Sequence, residues 1–183
     1  MVFLFVMPMA AGLANYFIPL QIGARDVAFP RINAFSFWAL LFGGIFLNLS
    51  WFLGGAADGG WFMYAPNSGP IFSPSHGIDF WILGLQLAGI ASLAGAVNLI
   101  TTVLNMRAPG MKLMRMPIFT WMQLVVQFLL LFAVPVITVA LFLLSFQRNF
   151  GATFFDVSAG ADPLLWQHLF WIFGHPEVYI LIL

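Results

Sequence analysis

The chain has 183 residues, of which 62% are hydrophobic and only 7% are charged, and its mean hydropathy is +1.00. Soluble domains carry about 25% charged residues, so this composition excludes a water-soluble fold, and its hydrophobicity excludes disorder. Six basic and six acidic residues cancel, which leaves no basic surface for nucleic acid. The chain has no cysteine, which excludes disulfides, iron–sulfur clusters and thiolate zinc sites. An integral membrane protein remains.

Long uncharged runs separate short clusters of charge along the chain. Four runs cover residues 1–24, 32–57, 80–106 and 116–147, and each exceeds the roughly 20 residues that a spanning helix needs. A fifth apolar stretch, 163–183, contains one acid, Glu177. Because a backbone in hydrocarbon must satisfy its own hydrogen bonds, we expect these runs to be helices. The alternating polarity of barrel strands is absent from them.

The prediction is therefore an all-α, polytopic transmembrane helix bundle. We expect one membrane domain, itself partial, that covers the whole chain. Its helices are placed at about 1–22, 34–56, 79–105, 117–146 and 164–183. Both ends of the chain lie in apolar sequence, from which we expect an internal fragment of a longer polytopic protein.

The basic residues predict the orientation of this bundle. The loops after the first and third helices contain five of the six Lys and Arg residues, and Arg148 in the fourth loop is the sixth. Cytoplasmic loops are enriched in Lys and Arg. We therefore place the first and third loops on the cytoplasmic side, called the inner side below, and the second and fourth loops on the outer side.

An acid, an imidazole and a phenol share the last predicted helix. Glu177 lies about 14 residues into it, roughly 21 Å deep, where an ionised carboxylate costs roughly 2.5–3.5 kcal/mol. Such acids commonly mark proton or ion paths, and a protonated or paired glutamate that fixes helix packing is the alternative. His175 and Tyr179 are four residues apart and share a face. Imidazole suits copper, zinc or iron, and a hydrogen-bonded core histidine is the alternative.

A second set of polar residues lies toward the inner side of the predicted bundle. Its members are Asn15, Asn33, Ser36, Ser92 and Asn98. Amides and hydroxyls can hold a file of ordered water if each water finds two to four partners. The set predicts a proton path from Asp26, in the first inner loop, toward Glu177. Interhelical hydrogen bonds that stabilise the bundle by about 0.6 kcal/mol each are the alternative.

Several stretches carry a resemblance to a known family. The sequence Trp171-Ile-Phe-Gly-His-Pro-Glu-Val-Tyr-Ile-Leu-Ile-Leu183 closely resembles subunit I of the haem–copper terminal oxidases. The chain is also similar to that family over Ile22–Pro30, Asn98–Thr102, Met106–Met111 and Thr153–Asp156. The matches run in order along the whole chain, and they imply about five of the family's twelve helices.

The resemblance implies roles for the residues of the last helix and of the second loop. His175 matches a histidine ligand of copper B, and Tyr179 matches the tyrosine covalently linked to that histidine. Glu177 matches the acid that passes protons to the site or to the pump. The residues matched to the surroundings of the cofactors are Trp171 beside copper B, and Trp61 and Tyr64 near the haem propionates.

The resemblance also implies roles for the inner polar residues. Asp26 matches the mouth of the family's proton channel. The asparagines Asn15, Asn33 and Asn98 match those that line the lower part of that channel. Ser36 and Ser92 match serines above them.

By this resemblance the chain is part of the catalytic subunit of a respiratory terminal oxidase. Such an enzyme reduces dioxygen to water at a haem–copper B centre and couples the reaction to proton pumping, with cytochrome c as the expected electron donor and quinol as the alternative. The implied cofactors are copper and two haems, whose axial ligands lie outside this chain, so we expect the chain alone to be inactive. The implied partners are subunits II and III, the donor, dioxygen and the lipid bilayer.

Two departures from the mitochondrial pattern favour a bacterial source. Gly23-Ala-Arg-Asp26 and Leu85-Gln-Leu-Ala-Gly89 look like bacterial members of the family, which include quinol oxidases. We therefore expect the plasma membrane of a bacterium rather than the mitochondrial inner membrane. A proton channel or transporter without redox chemistry is the alternative from a different class, since its intramembrane acid and polar file would look alike.

Overall fold

The structure is a computed structural model that describes residues 2–183 and, of their side chains, those from Leu4 onward. A π-helical turn at Val2–Val6 leads into the first of five α-helices. These are α1 (Met7–Ile22), α2 (Pro30–Leu53), α3 (Gly77–Asn105), α4 (Ile118–Phe150) and α5 (Leu164–Ile182). The described part of the chain contains no strand, which confirms the predicted all-α fold.

Four of the described helical segments are long and apolar enough to cross a membrane. They are Leu4–Ile22, α2, α3 and α4. The fifth helix, α5, has 19 residues and is not one of the four, because Gln167, His168, His175 and Glu177 lower its mean hydropathy. Large apolar side chains such as Phe52 and Phe132 are exposed on the helices, as expected of surfaces that lipid or other protein covers.

Several helix ends differ from the predicted bounds, and two of these differences have a clear local reason. α2 begins at Pro30, four residues earlier than predicted, because a proline ring presets the backbone for the first helical position and the Asn33 N–H donates to the Phe29 carbonyl at 3.0 Å. α4 continues to Phe150 and ends at Gly151, whose φ of 68° is left-handed. The prediction ended this helix near residue 146 because Arg148 was assigned to a loop, whereas it lies inside α4.

Two clusters of buried apolar side chains hold the helices together. The outer cluster joins α3, α4 and α5 around Trp166 and Phe170. The inner cluster joins α1, α3 and α4 around Ile18, Val103 and Leu124. Burial of a large apolar side chain contributes about 1.5–3 kcal/mol in water, whereas close packing and hydrogen bonds supply the corresponding stability in a bilayer.

The close packing is tightest between α2 and α3, where two glycines meet. A Cβ atom added at Gly84 would lie 2.9 Å from the Gly43 carbonyl oxygen, and one added at Gly43 would lie 2.8 Å from the Gly84 carbonyl oxygen. Real Cβ atoms do not approach backbone atoms this closely, so the two backbones require glycine at both positions.

Replacing Gly84 by alanine should therefore separate α2 from α3 and destabilise the complete subunit by about 1–3 kcal/mol. The measurement is resistance to unfolding in SDS, with Gly95→Ala as the matched control because nothing lies within 4 Å of a Cβ added there. Equal resistance of the two variants would show that the contact between the glycines does not limit stability.

Candidate functional site

Helix α5 exposes an imidazole and a phenol side by side. The rings of His175 and Tyr179 are 4.8 Å apart, centroid to centroid, and meet edge-to-face at 82°. The four-residue spacing places them on one face of the helix. Both side chains are exposed, as is Trp171 one turn toward the outer side. This face of α5 is free to contact groups that the described residues do not supply.

The second loop, residues 54–76, packs its aromatic side chains against the outer part of α5, around Trp166 and Trp171. The Trp171 indole N–H donates a hydrogen bond to the Tyr64 hydroxyl. The rings of Trp61 and Trp171 lie edge-to-face at a centroid distance of 5.7 Å. Trp166 donates from its indole N–H to the Phe62 carbonyl at 2.9 Å. The structure therefore brings together Trp61, Tyr64 and Trp171, the three residues predicted to surround the cofactors.

A buried arginine anchors the rest of this loop. The guanidinium of Arg148 pairs with Asp79 at the start of α3, with 2.7 Å between Nε and Oδ1. It also donates to the carbonyls of Ser68 and Ser73 at 2.8 and 2.9 Å, and to that of Ser75 at 2.8 Å. The Arg148 side chain is 3% exposed, so its charge is compensated within the protein, as a buried charge requires.

Glu177 faces the opposite way from His175. Two residues along a helix turn the side chain by about 200°, and Glu177 is accordingly buried, with 1% of its surface exposed. Neither carboxylate oxygen has a hydrogen-bond partner among the described residues. A buried polar group without a partner is unfavourable by several kcal/mol, so this carboxyl group needs a proton, a water or a partner from outside these residues.

A large cavity lies between the helices, and its lining runs from Asp26 and Pro30 at the inner end of α2 to Phe52 near its outer end. Its volume is about 1170 Å³, far more than the roughly 10–15 Å³ that one water needs. On α5 it reaches Ile180, about one turn from Glu177, whereas Glu177 itself does not line it. Five of the residues predicted for the proton path line it together, and these are Asn15, Asp26, Asn33, Ser36 and Ser92.

Asn98, the sixth predicted path residue, takes a different place among the described residues. It is fully buried, and its Oδ1 accepts a hydrogen bond from the Phe29 N–H at 2.8 Å. The neighbouring Thr102 hydroxyl accepts from the Ala28 N–H at 2.8 Å. Together they attach the first loop, which carries Asp26, to α3. The Asn98 amide nitrogen has no partner among the described residues.

Sequence reasoning missed polar residues at both ends of this site. Gln123 and Gln127 on α4 and Asn48 on α2 also line the cavity. The two glutamines are four residues apart in the stretch 121–137 of α4, which is otherwise apolar, and that spacing was the available signal. The pairing of Arg148 with Asp79 has no local signal, because 69 residues separate the partners in the chain.

A copper ion needs more ligands than this chain brings together. No group of three His, Cys, Asp or Glu side chains that could hold a metal occurs within residues 2–183 as described. The exposed imidazole of His175 suits copper as one ligand. The aromatic edges of Trp61 and Trp171 suit the apolar rim of a haem. These residues fit part of a haem–copper site, whose remaining ligands must come from elsewhere.

All 183 residues match the protein family described as Cytochrome C and Quinol oxidase polypeptide I. The chain belongs to this family. Known members of the family are subunit I of haem–copper oxidases, which confirms the resemblance seen in the sequence.

Curated relatives of this oxidase family match over the whole chain. It is 56% identical to cytochrome c oxidase subunit 1 of Bacillus subtilis and 51% identical to quinol oxidase subunit 1 of the same species. It is 54% identical to the probable cytochrome c oxidase subunit 1-alpha of Streptomyces coelicolor. The chain spans 28–32% of the length of these relatives. The apolar helices and the bacterial relatives fit a bacterial membrane protein.

Replacing Arg148 by methionine should release the second loop. The change leaves three carbonyls without their donor and leaves Asp79 with the His76 imidazole as its remaining partner, at 3.1 Å. Breaking a buried pair costs about 3–5 kcal/mol. In the complete oxidase, limited proteolysis should cut residues 54–76 faster. Arg25→Met, which alters an exposed arginine, is the control. Unchanged proteolysis in the Arg148 variant would mean that the aromatic contacts alone hold the loop.

Proposed function

We propose that this chain forms part of the catalytic subunit of a terminal oxidase that reduces dioxygen to water and pumps protons, with cytochrome c as the electron donor. The observation that carries the proposal is the arrangement on α5. One helix exposes His175 beside Tyr179. Between these two residues, the same helix buries the carboxyl group of Glu177. This places a metal ligand, a phenolic proton donor and a proton-accepting group within two turns.

The residues divide the work of such a reaction between the two faces of α5. His175 would hold copper B as one ligand, and Trp61, Tyr64 and Trp171 would border the haem. When bound, these cofactors supply the electron transfer to dioxygen. Tyr179 stands in ring contact with His175, so its phenol can donate a proton where dioxygen reacts.

Glu177 and the cavity supply the protons. Each electron that enters a site of low dielectric constant requires a compensating proton, because an unpaired charge is unfavourable there. The cavity offers Asp26 at its inner end and polar side chains from α1, α2 and α3 along its walls. Water held by these groups would carry protons from Asp26 to Glu177. Glu177 would then transfer them to the reaction or to the pump.

Relatives of this chain are named for two different electron donors. Relatives named for cytochrome c and for quinol match this chain at 56% and 51% identity, and we favour cytochrome c. Oxidation of quinol is the second candidate. We further propose that the chain acts in the plasma membrane of a bacterium together with oxidase subunits II and III.

Glu177→Gln in the complete oxidase should cut oxygen uptake severely, by about 100-fold or more, since the loss of a positioned proton donor costs about 10²–10⁴-fold. Copper and haem contents should stay at wild-type levels, because Glu177 points away from His175. Phe132→Leu, on the exposed surface of α4 and away from both faces of α5, is the control. Normal oxygen uptake in the Gln variant would remove Glu177 from the mechanism.

A further inference from the structure

Helix α4 contributes two buried glutamines to the cavity. Gln123 and Gln127 are each 5% exposed, and both line the cavity together with Asn15, Asp26 and Ser92. The Gln127 amide nitrogen donates to the Gln123 carbonyl oxygen at 3.4 Å. This bond leaves the Gln123 amide nitrogen as a donor and the Gln127 carbonyl oxygen as an acceptor for other partners.

The serine hydroxyls of the cavity donate to carbonyls of their own helices. The Ser36 hydroxyl donates to the Asn33 carbonyl and the Ser92 hydroxyl to the Ala88 carbonyl, each at 2.8 Å. The Asn15 amide donates to the Ala11 carbonyl at 2.8 Å. The hydroxyls can then only accept further hydrogen bonds, whereas an amide nitrogen carries two N–H groups, of which Asn15 keeps one. The glutamine pair likewise offers both a donor and an acceptor. A proton-conducting water needs partners of both kinds.

Two contacts place the glutamines along the path. The Thr120 hydroxyl donates to the Gln21 side-chain carbonyl at 2.7 Å, which joins the inner end of α4 to the inner end of α1. Farther along α4, Val134 lies 3.2 Å from a Cβ added at Gly89, close to Ser92 on α3. Gln123 and Gln127 lie between these two levels, and they cover about 6 Å of the helix axis.

We propose that Gln123 and Gln127 are positioning residues of the proton path, holding its water between Asp26 and the level of Ser92. This inference rests on the proposed function. It assigns the α4 wall of the path, to which sequence reasoning gave no residue. The alternative is that the two amides only strengthen helix packing. In that case their removal would not slow proton transfer.

The test is the rate of proton uptake in the complete oxidase, followed with a pH indicator dye after the reduced enzyme meets dioxygen. Gln123→Met combined with Gln127→Met keeps the side-chain length and removes both amides. Uptake should slow about tenfold, as expected when a water loses a donor and an acceptor that nothing replaces. The CO-difference spectrum of the haem should stay unchanged, which shows that the variant is assembled.

Two further variants separate the outcomes. Thr138→Val removes a hydroxyl of α4 that donates to its own helix, to the Val134 carbonyl, and uptake should stay normal. Asp26→Asn should slow uptake. Normal uptake in the double glutamine variant with slow uptake in Asp26→Asn overturns this inference and leaves the path intact. Normal uptake in both overturns the proton path itself. If the double variant does not assemble its haem, proton uptake is measured in Gln127→Met alone. Slow uptake then supports the inference and normal uptake overturns it.

Discussion

The structure depends on the requirement that polar groups in a membrane either find partners or line a cavity. The arrangement of α5 follows from this requirement. Its exposed face carries His175 and Tyr179, whereas its buried face carries Glu177, whose oxygens have no partner among the described residues. A carboxyl group in this position is unfavourable for stability. Its presence is explained if water that reaches it from the cavity, which ends about one turn away at Ile180, supplies the missing hydrogen bonds and a route for protons.

On the outer side of the molecule, a buried charge meets the same requirement by pairing. Arg148 is nearly inaccessible to solvent, and it binds Asp79 and three backbone carbonyls of the second loop. This loop in turn places Trp61 and Tyr64 against Trp171. The chain thus has an outer loop fixed by an ion pair and hydrogen bonds, and a cavity that polar side chains line toward its inner end. Such a division suits a protein that holds cofactors at one level and admits protons from the other side.

The composition and the uncharged runs were enough to predict the number and kind of helices. They were not enough for the helix ends, because a charged residue such as Arg148 can remain inside a helix when a distant carboxylate neutralises it. The pairing of His175 with Tyr179 follows from helix geometry alone. The cavity does not, because it depends on how α1, α2, α3 and α4 pack. The same packing makes Asn98 an anchor for the first loop and brings Gln123 and Gln127 to the cavity wall.

The most direct test of the central claim is an optical measurement on the full-length parent subunit, expressed with its partner subunits. The spectrum of the reduced enzyme with CO minus that of the reduced enzyme should show a high-spin haem that binds CO. In His175→Ala the copper should be lost and the rebinding of CO altered, because α5 would no longer supply its imidazole. Absence of a CO-binding haem from a well-folded wild-type preparation would contradict the oxidase account and favour a proton channel or transporter.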